Sequence, residues 1–218
     1  YGITIIDLLE HNEISHNEIK DAIISSVVPN VMHSLCSGMI KYFGIQPMVV
    51  EPGVKTGIRI TSENPAQIGA DRIVDAVGAY ELYGGPVVVI DYGTATTYDF
   101  INGNGDFFAG VTSPGIRISA KALWEDAAKL PEIEIKKPST ILARETISSM
   151  QAGLIFGQIG QTEYIVKNMI KESGLKDVKV VATGGLGKII ANETKYIQYY
   201  NPTLTLEGMR LIYAKQKR

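Results

Sequence analysis

Apolar positions recur along this chain with two periods, and the switches between them mark its elements. Residues 2–11 place isoleucine and leucine at helical spacing, as in the body of an amphipathic helix. No initiator Met or N-cap residue precedes it, so the chain is expected to begin inside an element. Ser15-His16-Asn17-Glu18 has capping-box spacing. Residues 21–28 read as a buried strand stopped by Pro29, 31–43 as a helix closed by Gly44, and 48–50 as a short strand. A Gly/Pro/Thr-rich loop over 51–65 leads to Gly69-Ala70-Asp71-Arg72, which opens a helix running to about Tyr83.

Gly84-Gly85-Pro86 is the clearest change of composition, and it divides the chain into units 1–84 and 85–218. Beyond it, strands over 87–90, 98–101 and 107–111 form a meander. Its second turn, Asn102-Gly103-Asn104-Gly105-Asp106, is a strong hairpin signal. Ser113-Pro114 is expected to supply the N-cap and N1 proline of a helix reaching about Lys129. A long helix over 146–173 follows, then a strand over 178–182, a short helix, a strand over 196–200 and a last helix from Thr205. That order predicts an α/β fold, a mixed sheet with helices on its faces.

Composition narrows the function classes. A formal net charge of −2 offers no basic field for a nucleic-acid backbone. The single cysteine, Cys36, excludes an internal disulfide framework and fits a reducing compartment; in its amphipathic stretch it reads as an inert thiol. No apolar run reaches the roughly 20 residues that span a bilayer, and no basic-then-apolar leader opens the chain, so neither a membrane nor a nucleic acid is an expected partner and the cytoplasm is the expected location. His11, His16 and His33 show no metal-ligand spacing with each other or with Cys36.

Three short motifs carry candidate chemistry. The apolar run Val87-Val88-Val89-Ile90 delivers Asp91 into Tyr92-Gly93-Thr94-Ala95-Thr96-Thr97. Gly93 lets backbone approach a ligand, and N–H groups with the hydroxyls of Thr94, Thr96 and Thr97 can donate to phosphate oxygens. Asp91 at the strand end can hold a cation. No Gly-Lys-Ser/Thr follows, so this is not a Walker loop; the plain alternative is a hairpin with a Thr-rich turn. Asp71 at a helix start reads either as a cap paired with Arg72 or as a general base on an alcohol, with Arg72 binding an anionic group of the substrate. Thr183-Gly184-Gly185-Leu186 reads as a tight strand-to-helix turn or as a surface for a planar nucleotide group. Small residues Ala152, Gly153, Gly157 and Gly160 on the long helix permit a close contact, either internal or between subunits.

The Asp-x-Gly-Thr turn resembles the phosphate loops of the actin, sugar-kinase and heat-shock-chaperone ATPase superfamily. Taken with residues 22–29, Gly53-Val54-Lys55-Thr56-Gly57, Asn64-Pro65, Gly69-Ala70-Asp71-Arg72, Pro114-Gly115-Ile116 and Thr183-Gly184-Gly185-Leu186, it makes essentially the whole chain resemble type III pantothenate kinase. The resemblance implies two RNase-H-like halves with the active site between them, and a homodimer whose pantothenate site lies near the subunit interface. It implies ATP-dependent phosphorylation of pantothenate to 4'-phosphopantothenate, the first step of coenzyme A biosynthesis. By the same resemblance Asp71 is the proton acceptor, with Gly69, Ala70, Arg72 and Thr146 beside pantothenate. Asp91 holds a monovalent cation, potassium or ammonium, and Thr94 touches ATP, beside Gly93, Gly184 and Gly185, which the motif readings place against the nucleotide.

Two departures qualify that picture. The family opens with a strand and an Asp-x-Gly-Asn-Thr phosphate loop that supplies the aspartate associated with magnesium, whereas this sequence starts after that region. The first half is therefore expected to lack its three opening strands, and this chain alone to phosphorylate poorly. Ser62 stands where many members carry an aromatic pantothenate contact. The competing readings are a non-catalytic regulatory accessory-factor relative and a kinase of another small alcohol. The intact Asp71, Asp91 and Thr94 speak against the first.

Overall fold

The structure, a computed structural model, describes residues 1–51 and 53–217. Its elements run in chain order as α1 (Gly2–His11), a 3₁₀ turn (His16–Glu18), β1 (Ile23–Ile24), α2 (Pro29–Phe43), β2 (Met48–Val49), β3 (Arg59–Ile60), a second 3₁₀ turn (Pro65–Gln67) and α3 (Ala70–Tyr83). The chain continues with β4 (Val87–Tyr92), β5 (Ala95–Ile101), β6 (Asp106–Pro114), α4 (Ile116–Asp126), α5 (Thr146–Ser173), β7 (Lys179–Thr183), α6 (Gly187–Ala191), β8 (Tyr199–Tyr200) and α7 (Leu204–Gln216). β1 and β2 form a small parallel sheet; the other strands form a six-stranded mixed sheet in the order β3-β6-β5-β4-β7-β8.

Side chains alternate across a strand, so β4 and β5 feed two cores. Val88, Ile90, Tyr98 and Phe100 pack on one face with Ile155 of α5 and Ile190 of α6. Val87, Val89 and Ile101 pack on the other with Ala76 and Ala79 of α3 and Leu204 of α7. By the same alternation Asp91 and Asp99 belong to the face that α3 covers. Close approach fixes that cover. A Cβ at Gly78 would stand 2.9 Å from the Leu204 carbonyl oxygen, and one at Gly208 would overlap that of Val74, so α3 and α7 touch backbone to backbone.

Most predicted ends are where backbone chemistry puts them. Pro29 opens α2 at a position that needs no N–H. Gly44 (φ 67°) and Gly174 (φ 65°) close α2 and α5 in the left-handed region. In the predicted hairpin the Asn102 side chain accepts from the N–H groups of Asn104 and Asp106 at 2.9 and 3.0 Å.

Several expectations are corrected. Ser113-Pro114 does not cap α4: β6 runs on through Pro114, because β5 pairs as far as Ala95 opposite Pro114, and Gly115 takes the N-cap. The strand over 21–28 shrinks to Ile23–Ile24, since Ser26 accepts from Val28 N–H at 3.1 Å and turns the chain into α2. The strand over 196–200 shrinks to Tyr199–Tyr200. Ser15 caps a 3₁₀ turn through Asn17 N–H instead of completing a capping box. The loop over 51–65 conceals β3, which pairs with Asp106 and Phe107 of β6; Pro52 of that loop lies outside the described residues.

Candidate active site

β4 carries Asp91 to its end, where the chain turns back into β5 with Gly93 N–H donating to the Ala95 carbonyl at 3.1 Å. Two distant glycines complete this corner. Gly115 donates to the Thr94 carbonyl at 3.1 Å and lies too close to that strand end for any side chain. Gly184, at φ 92°, follows β7; a Cβ there would stand 2.7 Å from Asp91 Oδ1 and from the Tyr92 backbone. Only glycine meets both demands. A Cβ at Gly93 would stand 2.9 Å from Asp91 Oδ2, whereas one at Gly185 would meet open space. The Asp91 turn and the Thr183-Gly184-Gly185 turn are therefore one corner, with room beside Gly185 for a ligand to lie against main chain.

The three threonines of the turn differ. Thr94 is exposed at its tip, and Thr97 is half-buried on the α3 side. Thr96 is fully buried, with its hydroxyl unpartnered among the described residues, so the expectation that it donates to phosphate is corrected.

At the start of α3, Asp71 Oδ1 accepts from Arg72 N–H at 2.9 Å, a partial cap that leaves Oδ2 without a hydrogen bond among the described residues. A Cβ at Gly69 would displace the Asp71 carboxylate from this pose. The expected Asp71–Arg72 side-chain pair is corrected. Arg72 instead forks onto Asp99, with Nε 3.0 and 3.2 Å from its two oxygens and Nη2 on Oδ1. That pair raises the Arg72 pKa, while burial pushes the Asp99 carboxyl up to about 6 against the pull of Arg72.

Sequence reasoning missed Asp99 and Asp75. Asp75 lies one helical turn after Asp71, is 3% exposed, and accepts from Thr205 Oγ1 of α7 at 2.6 Å. Burial, with the charges of Asp91, Asp71 and Asp99, pushes its carboxyl up to about 7. Burial and the Asp71 charge push Asp91 up to about 6. A charged residue inside an apolar helix face or strand was the available signal for both.

Two clefts flank the start of α3. One, of about 290 Å³, is walled by Arg72, Ser62, Asn64, Gln67 and Phe107; the Ser62 hydroxyl is buried and without a partner among the described residues. The other, of about 410 Å³, is mostly apolar and includes Ala70, Ile68 and Ile73. Neither Asp71 nor Thr146, which is exposed on the first turn of α5, lines either cleft. The structure thus joins Gly69, Ala70, Asp71, Arg72, Asp91, Gly93, Thr94, Gly184 and Gly185 around one corner and leaves Thr146 apart. Among the described residues no group of three His, Cys, Asp or Glu side chains is placed to hold a metal ion. Among the described residues no helix is long and apolar enough to cross a membrane.

The family model for type III pantothenate kinase matches residues 1–168. A type III pantothenate kinase from Agathobacter rectalis is 66% identical over 218 residues, 100% of this chain and 84% of that protein. One from Bacillus cytotoxicus is 51% identical over 215 residues, 99% of this chain and 82% of that protein. Among solved structures, a Campylobacter jejuni protein described as a Baf family transcriptional activator superposes with a TM-score of 0.62 at 21% identity, covering 98% of this chain and 88% of that one. The ethanolamine utilization protein EutJ from Carboxydothermus hydrogenoformans superposes at 0.52 and 18%, covering 97% and 73%. These two likenesses concern the fold, that of the actin-like ATPases.

The Asp75 carboxyl gives a stability prediction. Its ordinary value is 3.8 and its folded value about 7, so between them the folded chain keeps a proton the unfolded chain has lost. Wild-type stability therefore falls as pH rises through that interval, and the cost is full above about pH 7. Asp75→Asn keeps an acceptor for Thr205 and removes the titration. In urea unfolding its gain over wild type should be least near pH 4 and grow to a plateau above pH 7, on the order of a few kcal/mol. A difference independent of pH would contradict the assignment.

Proposed function

We propose, for a chain that belongs to the type III pantothenate kinase family, that Asp71 is the general base of its reaction and that the corner around Asp91 is its nucleotide site. The reaction is ATP-dependent phosphorylation of pantothenate in coenzyme A biosynthesis. What carries the assignment is the difference among the carboxylates at this corner. Asp75 is 3% exposed and bonded to Thr205; Asp99 is 2% exposed and committed to Arg72. Asp71 is half-buried, between Ala70 and Arg72 that line the two clefts, and keeps Oδ2 free of partners among the described residues. Asp91 is half-buried too but sits in the strand-end turn, whereas Asp71 adjoins the cleft-lining Ala70 and Arg72, and so Asp71 is assigned the substrate hydroxyl.

In this reading pantothenate lies along the cleft beside α3, its carboxylate on Arg72 and its hydroxyl on Asp71, with Gly69 and Ala70 beneath. As the hydroxyl oxygen attacks the γ-phosphorus in line with the departing ADP oxygen, its proton passes to Asp71 Oδ2. Phosphoryl transfer needs positioning and charge compensation more than covalent help from the protein. Main chain at Gly93, Gly184 and Gly185 and the Thr94 hydroxyl would hold the phosphates. The half-buried Asp91 carboxylate, raised by burial and by the Asp71 charge, fits potassium or ammonium, which when bound would compensate phosphate charge. Magnesium would enter on the nucleotide; no protein ligand for it is assigned here.

The same reading takes 1–84 as the remainder of a first RNase-H-like half and 85–218 as the second, with β3 reaching across to the larger sheet, in a cytoplasmic enzyme. It also takes the enzyme as a homodimer joined along α5. Gly153, Gly157 and Gly160 have open space where a Cβ would point, so the internal contact that could have explained them is absent among the described residues. Ile147 and Tyr164, 50% and 72% exposed, extend the same helix's uncovered surface. Thr146 would then serve the partner's pantothenate.

Asp71→Asn keeps size and one acceptor but takes no proton. In the full-length gene product it should lower kcat by about 10²–10⁴-fold with little change in ATP binding, and near wild-type turnover would reduce Asp71 to a helix cap. The same coupled assay should need potassium or ammonium; equal rates in sodium, with ammonium excluded, would remove the cation from Asp91.

Gly157→Leu should overpack the subunit contact by about 1–3 kcal/mol, weakening the dimer and the use of pantothenate together. Sedimentation showing wild-type protein as a monomer at micromolar concentration would refute the interface.

A further inference from the structure

We infer that Asp99 is a positioning residue that aims Arg72 at the pantothenate carboxylate, and so sets the enzyme's preference for an anionic over an uncharged alcohol. The inference rests on the reading of Arg72 as a substrate-binding residue. Three features hold the guanidinium in one pose. Asp99, in the middle of β5 and 2% exposed, takes Nε–H and an Nη2 hydrogen from behind. The Phe107 ring lies 5.7 Å below Arg72 Cζ. Gly110 stands directly opposite Asp99 in the β5–β6 ladder; a Cβ there would be 2.8 Å from Asp99 Oδ1 and would overlap Arg72 Nη2. The guanidinium thus runs across bare backbone.

A guanidinium has five N–H donors in a rigid plane. Asp99 occupies one edge, and Nη1 has no hydrogen-bond partner among the described residues. Arg72 itself lines the cleft walled by Ser62, Asn64 and Gln67. A second carboxylate can be met there by parallel N–H groups, a geometry a lysine ammonium does not reproduce.

Asp99 also partly cancels the Arg72 charge, and the two roles predict opposite signs. If Asp99 only compensates charge, Asp99→Asn strengthens the anion site: the KM for pantothenate falls, and preference over the analogue in which the carboxylate is replaced by an uncharged hydroxymethyl group rises. If it aims Arg72, the KM for pantothenate rises about 10- to 100-fold, the scale of one hydrogen bond to a charged group. The KM for the neutral analogue then moves little, and kcat changes less than KM. Gly110→Ala tests the same point without altering charge, at an exposed strand position, and decides the matter should Asp99→Asn fail to fold by its thermal melt.

Both variants and Arg72→Lys are assayed in the full-length gene product with the two alcohols. Loss of preference in all three supports the inference. Loss in Arg72→Lys alone overturns the role of Asp99 while keeping Arg72 at the substrate. Retention in Arg72→Lys overturns the reading of Arg72 itself, and the inference with it.

Discussion

Four carboxylates, those of Asp71, Asp75, Asp91 and Asp99, meet between α3 and one face of the six-stranded sheet, and Arg72 supplies the positive charge among them. Like charges in a partly dehydrated site repel strongly, and each buried ion must be paired, hydrogen-bonded or neutralised. This chain uses all three solutions. Asp99 is paired with Arg72, Asp75 takes the Thr205 hydroxyl and is pushed to about 7, and Asp91, at about 6, lies where a cation or a ligand's counter-charge can reach it. Asp71 keeps one oxygen without a hydrogen bond among the described residues, and it is the carboxylate proposed as the base. Burial separates Asp75 and Asp99 from Asp71 and Asp91, and position along the sheet and α3 separates the last two.

That crowding is possible because backbone approaches backbone around the cluster. Gly78 and Gly208 let α7 press on α3, which brings Thr205 over Asp75. Gly184 and Gly93 let two strand ends close on the Asp91 carboxylate, and Gly110 lets Arg72 lie flat against β6. A methyl group at any of these five positions would move a carboxylate or its partner. The glycines therefore act on function through packing, at sites where a nucleotide motif explains only some of them.

Elements with strong local chemistry were legible from the sequence. Gly44 and Gly174 close helices with left-handed backbone, and Asn102 folds its own hairpin, so α2, α5 and the β5–β6 turn stood out. The Asp91, Asp71 and Gly184 motifs were legible for the same reason, since each is a short run with its own backbone demands. What was hidden depends on tertiary pairing. β3 is two residues on a sheet edge with no alternation to read. Ser113-Pro114 has the local form of a helix start, yet the ladder with Thr96 and Ala95 holds it as strand. Asp99 and Asp75 acquire meaning only opposite Arg72 and Thr205, 27 and 130 residues away in the chain.

The central claim is that Asp71, and not a neighbouring carboxylate, takes the substrate proton. A crystal structure of the full-length enzyme with pantothenate and a non-hydrolysable ATP analogue, grown in potassium, tests it most directly. An Asp71 oxygen should lie about 2.6–3.2 Å from the hydroxyl to be phosphorylated, with the far carboxylate on the Arg72 fork. A hydroxyl directed at Asp91, Asp99 or Asp75, or held by no carboxylate of this cluster, would contradict it.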